Sequence, residues 1–210
     1  MNPQEIRLRG NAELGAEANL LNFWQWAFTD ICDDGNRGVF AEWMVRVLLD
    51  LPCDSDRRVS WANSDIILEN GTRIEVKSSA LVEAYKTFDE YGVRFANLPL
   101  AIKDPKKVRF GRLRARNSLI LAAKTDPKTF KSDFYVFCFE SQPDPAMWDA
   151  WDLSQWEFYV MSRQELEECK IGDSISLATL RSVRTAMSTC QFQEYASKHL
   201  LVLKPTSLVE

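Results

Sequence analysis

Apolar and polar positions change period several times along the chain, and each change marks an element. Phe40, Trp43, Met44, Val47, Leu48 and Leu51 recur at the three- and four-residue spacing of one helix face, and Pro52 ends the run. The spacing predicts a helix that follows a turn at "DDGNRG". Upstream, the residues around Asn11 to Thr29 are apolar-rich and read as a first helix. Downstream the period falls to two. In "SDIILENGTRIEVKSSA", Ser64 to Ala80, β-branched residues flank Asn70-Gly71, which is a strong hairpin signal.

Two registers compete for this hairpin. A two-residue Asn70-Gly71 turn sets Asp65 opposite Val76 and mixes Ile66 and Leu68 with Arg73, Glu75 and Lys77. A three-residue Glu69-Asn70-Gly71 loop, with glycine in the left-handed conformation, sets Asp65 opposite Glu75 instead. Side chains alternate across a strand, so this second register gathers Ile66, Leu68, Ile74 and Val76 on one face. Asp65, Glu75 and Lys77 then share the other. The clean apolar sorting favours the three-residue loop.

Two further runs, "DFYVFCF" from Asp133 and "WEFYVMS" from Trp156, are aromatic and β-branched and read as buried strands. Ser162 with Glu165 three residues on reads as the capping box of a helix over "RQELEEC". The stretch between the strands, "ESQPDPAMWDAWDLSQ", is loop-like. With no internal repeat or Gly/Ser linker, the order of elements predicts a single α/β domain over residues 1–210, a mixed central β-sheet flanked by helices.

Composition narrows the chemistry. The 210 residues hold five cysteines without a CxxC pair and a single histidine, His199. Disulfide frameworks, zinc ribbons and serine–histidine chemistry are therefore poor readings. The amino-terminal residues lack the continuous apolar run of a signal peptide or membrane span, so a soluble cytoplasmic protein is expected, with no membrane partner.

Net charge is −4, but a basic insertion at about 86–131 departs from that average. Between Ala101 and Lys131 ten bases face two acids, and this local excess of +8 leaves −12 for the rest of a chain whose total is −4. Lys103, Lys106, Lys107, Arg109, Arg112, Arg114 and Arg116 are the candidates for contact with nucleic-acid phosphates. The bland alternative is a solvated charged face.

Charged groups beside a buried sheet are costly without compensation, and a metal ion is one compensator. Carboxylates are hard ligands suited to Mg²⁺, which takes one or two of them with water and substrate phosphate. A neighbouring lysine can orient water or offset charge on phosphorus. Asp65, nine residues, then Glu75-Val76-Lys77 resembles the PD-(D/E)XK signature of the restriction-endonuclease-like superfamily, and Glu42 in the preceding helix resembles the acid that many members carry there. Ser64 stands where the motif's name has proline.

The resemblance implies a restriction-endonuclease-like core and a Mg²⁺- or Mn²⁺-dependent nuclease. Asp65, Glu75 and the Val76 main-chain carbonyl would be metal ligands, Lys77 the catalytic lysine and Glu42 an accessory acid. It points to nucleic acid as the partner, DNA in the first instance and RNA otherwise, with a homodimer or larger assembly compatible. The alternative is a nucleic-acid-binding or scaffold subunit of the same fold, with little or no cleavage, in a defence or repair complex.

Overall fold

A turn closed by one glycine starts the central sheet. In the computed structural model, which describes residues 2, 4–5, 19–53, 58, 62–84, 101–116 and 127–202, β1 (Ile66–Ile67) pairs antiparallel with β2 (Arg73–Ala80). Ile66 faces Ile74 and Ile67 faces Arg73. This is the three-residue-loop register. Gly71 closes the loop at φ +78°, a conformation that costs an L-side chain steric strain. Its amide donates to the Leu68 carbonyl at 2.8 Å, and Leu68 in turn donates to Thr72 at 2.9 Å.

Two helices precede the hairpin, α1 (Leu20–Phe28) and α2 (Asp34–Leu48). After it come β3 (Val82–Glu83), β4 (Ala101–Ile102), a 3-10 turn at Pro105–Lys107 and β5 (Arg109–Gly111). Then follow β6 (Phe134–Glu140), β7 (Trp156–Ser162), α3 (Arg163–Glu168), β8 (Ser174–Ser176), α4 (Leu177–Val183) and α5 (Thr189–His199). The central sheet runs β1-β2-β6-β7, with β2 parallel to β6 and β6 antiparallel to β7. It is a mixed sheet with helices on its flanks, as the order of elements predicts. The capping box of Ser162 and Glu165 opens α3.

Both faces of the sheet are covered, which explains why β6 and β7 read as near-continuous apolar runs. One face, with Ile66, Ile74, Val76, Val136 and Val160, packs on α2 and on Phe192 and Ala196 of α5. The other, with Tyr135, Phe137, Phe139, Tyr159 and Met161, packs on Phe110 of β5, Ile175 of β8 and Leu177 and Leu180 of α4. At about 1.5–3 kcal/mol per buried large side chain, these two layers dominate the folding energy.

The sheet side of α2 differs from the expected stripe. The helix already begins at Asp34, with Asp33 capping the amides of Gly35 and Asn36 at 3.0 Å, so "DGNRG" is helical. Its buried residues are Arg37, Phe40, Ala41, Met44, Val45 and Leu48, while Trp43 and Val47 are 42% and 46% exposed. The small Ala41 lets the helix approach the sheet. Arg37 is admitted because it donates to both oxygens of buried Glu83, at 3.0 and 3.3 Å, and to the Cys32 carbonyl at 3.0 Å.

The basic segment is built into the fold rather than appended to it. β5 pairs antiparallel with β8, Phe110 opposite Ile175, and so closes the second layer. The stretch after Glu140 is mainly turns, with one 3-10 turn at Leu153–Gln155. All five cysteines are free thiols. Of the first expected helix, residues 11–18 lie outside the described residues, as does part of the basic segment. Among the described residues no helix is long and apolar enough to cross a membrane.

Candidate active site

The hairpin register decides which polar groups meet. Asp65 lies one residue before β1, and its amide donates to the Ile74 carbonyl at 3.0 Å. Its carboxylate takes the next rung of the ladder: Oδ2 accepts from the Val76 amide at 2.7 Å. Amide and carbonyl of one strand residue point to the same side. The Val76 carbonyl therefore faces the same edge, where β1 has already ended.

Glu75 and Lys77 follow on alternate positions of β2. Lys77 Nζ lies 2.5 Å from Glu75 Oε1, and both side chains are about one-fifth exposed, at 20% and 19%. Behind Glu75, Ser132 Oγ sits 3.5 Å from Oε2 and 2.8 Å from Ser64 Oγ. Both serines are buried. Ser132 thus positions the glutamate from the loop ahead of β6. No sequence motif marks it, because the contact joins residues 57 apart.

Glu42 arrives from α2. Arg58 grips it with two nitrogens, Nε on Oε2 at 2.5 Å and Nη2 on Oε1 at 2.8 Å. That bond is the main reason the Arg58 guanidinium is held above its usual range. Asp65 registers the acids around it: burial first, then repulsion from Glu75 and Glu42, push its carboxyl up to about 7, against the pull of the Val76 amide and Lys77. Three acids and one lysine from α2 and the hairpin therefore share one electrostatic neighbourhood.

Arg58 and Lys77 pair with two of these three acids, and the donors of the site are hard oxygens. Among the described residues no group of three or more His, Cys, Asp and Glu side chains forms a metal cage. A Mg²⁺ ion does not need one, since one or two carboxylates and several waters satisfy it. Asp65, Glu75 and the Val76 carbonyl fit that demand. Glu42 is paired with Arg58, as Glu75 is with Lys77.

Beside Asp65 a groove of about 810 Å³ opens between α1 and α2. Its apolar wall includes Trp24, Phe28, Trp43 and Ile67. None of these stood among the expected site residues: Trp43 falls on the stripe read as an apolar helix face, and Trp24, Phe28 and Ile67 belong to no site motif.

The basic candidates divide into two groups. Lys103 is drawn inward, with Nζ 2.7 Å from Glu83 Oε1 in the buried cluster with Arg37. Arg114 donates to the Ile171 carbonyl at 2.7 Å and lies 4.6 Å from the centre of the Phe130 ring. Lys106, Lys107, Arg109, Arg112 and Arg116 are exposed, Arg109 donating to Ser174 Oγ at 2.8 Å. β5, which carries Arg109, packs over β2 on the face of Glu75 and Lys77. Compared with protein-family models, curated proteins and solved structures, the chain matches none, so its chemistry is read from its own residues.

Proposed function

We propose that this protein is a divalent-metal-dependent nuclease with a restriction-endonuclease-like core, hydrolysing phosphodiester bonds in nucleic acid, DNA in the first instance. The observation that carries the reading is the meeting of Asp65 and Glu75 at the open end of the hairpin, with Lys77 on Glu75 and the Asp65 carboxyl raised to about 7. Asp65, Glu75 and the Val76 carbonyl would hold the cation. When bound, it supplies acidified water and neutralises charge on the phosphoryl oxygens.

The chain's own residues do the rest. Ser132 and Lys77 fix the Glu75 carboxylate from two sides. Lys77 also brings an ammonium to the place where negative charge grows as a water oxygen attacks phosphorus and the P–O bond to the leaving oxygen breaks. Lys106, Lys107 and Arg112 offer sequence-independent grip on backbone phosphates.

A second reading, a binding or scaffold subunit that does not cut, draws on the same ion pairs. Glu42 with Arg58 and Glu75 with Lys77 already offset part of the charge that a metal would offset. Incubation with duplex DNA, single-stranded DNA and RNA, each with Mg²⁺, Mn²⁺ or EDTA, separates the two. Cleavage that needs the cation and disappears in both Asp65→Asn and Glu75→Gln supports the nuclease. Tight binding with no cleavage under any condition supports the scaffold. For Lys77→Ala the expected loss is about 10²- to 10³-fold in rate, the size typical of removing one group aimed at developing charge.

A further inference from the structure

The groove beside Asp65 combines features that one class of ligand uses together. Trp24 and Trp43 line it, 44% and 42% exposed; the Trp43 ring packs 5.7 Å from Phe40 and 5.8 Å from Trp151 and offers the groove its remaining surface. Arg46 and Arg58 are among its lining residues. Glu42 and Asp65, acids of the proposed catalytic centre, line it too. At about 810 Å³ it is large enough for a nucleotide, since pockets for such ligands run about 300–1,000 Å³.

We propose that this groove receives an unpaired nucleotide, and that the substrate of the site is single-stranded nucleic acid or a single-stranded stretch beside a duplex. The inference rests on the nuclease reading for what happens at the phosphate but not for the binding itself. Every base has a π-face that stacks on an aromatic ring without regard to sequence, and arginine adds a cation for the base or its phosphate. A base stacked at Trp24 and Trp43 lies in the same groove that Glu42 and Asp65 line. A base within a duplex keeps both faces covered and is not available to the rings.

The composition of the groove argues against a protein segment as occupant. Interface cores are depleted of charge, whereas Glu42, Arg46, Arg58 and Asp65 all line this one. A second copy seated here would bury those charges and close off the acids.

The test reads binding in EDTA, where no cleavage occurs, by quenching of intrinsic tryptophan fluorescence and by anisotropy of a labelled oligonucleotide. A short oligothymidylate is compared with a blunt duplex of equal length, for wild type and for Trp24→Ala, Trp43→Ala, Trp43→Phe and Trp26→Ala. Trp26 is on the same helix as Trp24 and 82% exposed but lies outside the groove, so it controls for general loss of aromatic surface.

The expected result is about tenfold or greater weakening for the single strand in Trp24→Ala and Trp43→Ala, as is usual when a stacking ring is removed. Trp43→Phe keeps a ring and most of the affinity, and circular dichroism confirms that each variant folds. Trp26→Ala stays at the wild-type value, and duplex affinity is the same in all. Equal weakening for single strand and duplex, or unchanged single-strand affinity in both groove variants, overturns the proposal. So does a wild-type dimer in light scattering that Trp24→Ala and Trp43→Ala split into monomers with no change in single-strand affinity. Selective single-strand binding without cleavage in Mg²⁺ leaves the groove standing and removes the nuclease reading. Metal-dependent cutting of duplex, untouched by either groove variant, does the reverse.

Discussion

Asp65 and Glu140 are held in a state that stores proton affinity. Burial and the neighbouring acids raise Asp65 to about 7, and burial raises Glu140 to about 7 against the Gln142 amide, Trp148 and Arg37. Unfolded, such carboxyls titrate near 4. Between about pH 4 and pH 7 the folded chain therefore binds more protons than the unfolded one, and stability falls as pH rises through that window. The metal-free protein should melt at a lower temperature at pH 8 than at pH 5. Asp65→Asn should flatten the slope in part and Asp65→Asn with Glu140→Gln further, each site contributing on the order of a few kcal/mol at about 1.4 kcal/mol per pKa unit. A full slope in the double variant would place the titrating groups elsewhere. Mass action adds a second expectation: Mg²⁺ should raise the melting temperature at pH 8, do so much less at pH 5 where Asp65 holds its proton, and have little effect in Asp65→Asn. The acids themselves were legible in the sequence because spacing and alternation place them. Ser132 and Arg58, which hold two of them, were not, because their contacts span 57 and 16 residues and follow no periodic pattern.

The hairpin shows how far local rules reach. Its register followed from sorting Ile66, Leu68, Ile74 and Val76 to one side, and the structure buries all four. The turn adds something the pattern does not contain: Asn70 Nδ2 donates to the carbonyls of Leu200 at 2.9 Å and Val202 at 2.8 Å, while its Oδ1 accepts from the Thr72 amide at 2.9 Å. Gly71→Ala should cost about 1–2 kcal/mol through its positive φ. Asn70→Ala should cost about 1 kcal/mol through the lost hydrogen bonds to Leu200 and to the exposed Val202. Urea titration measures both, and equal stability of either variant to wild type would mean the turn relaxes freely. On α2 the apolar pattern favours Trp43 and Val47, whereas the helix buries Ala41 and Arg37 instead. Neither a small residue that permits close packing nor a charge with a distant partner has a periodic signature. β5 and β8 were illegible for another reason, being three residues each and paired across more than sixty residues of sequence.

Across the whole molecule, the basic segment divides between exposed bases and bases built into the architecture. Replacing Lys106, Lys107 and Arg112 with Gln should weaken binding to all sequences alike and lower the salt slope by about 0.9 for each duplex phosphate no longer neutralised. Rate at saturating substrate should hold, since uniform binding energy does not lower the chemical barrier. An unchanged slope would make this run an ordinary solvated face. Arg114→Gln should instead lower thermal stability, because the side chain no longer reaches the Ile171 carbonyl or covers the Phe130 ring. The sequence offered Arg114 and Lys103 on the same terms as their exposed neighbours, because charge counts carry no information on which bases find internal partners. The fastening of Asn70 to the end of α5 also bears on how the protein is made. A ribosome releases the chain from its amino terminus, so the turn between Asp65 and Glu75 emerges long before the carbonyls that secure it. The nascent hairpin can pair early but stays unclamped until the residues around position 200 have left the exit tunnel. Pairing of the hairpin and anchoring of its turn are thus separate events during synthesis, and the second waits for the residues that follow α5.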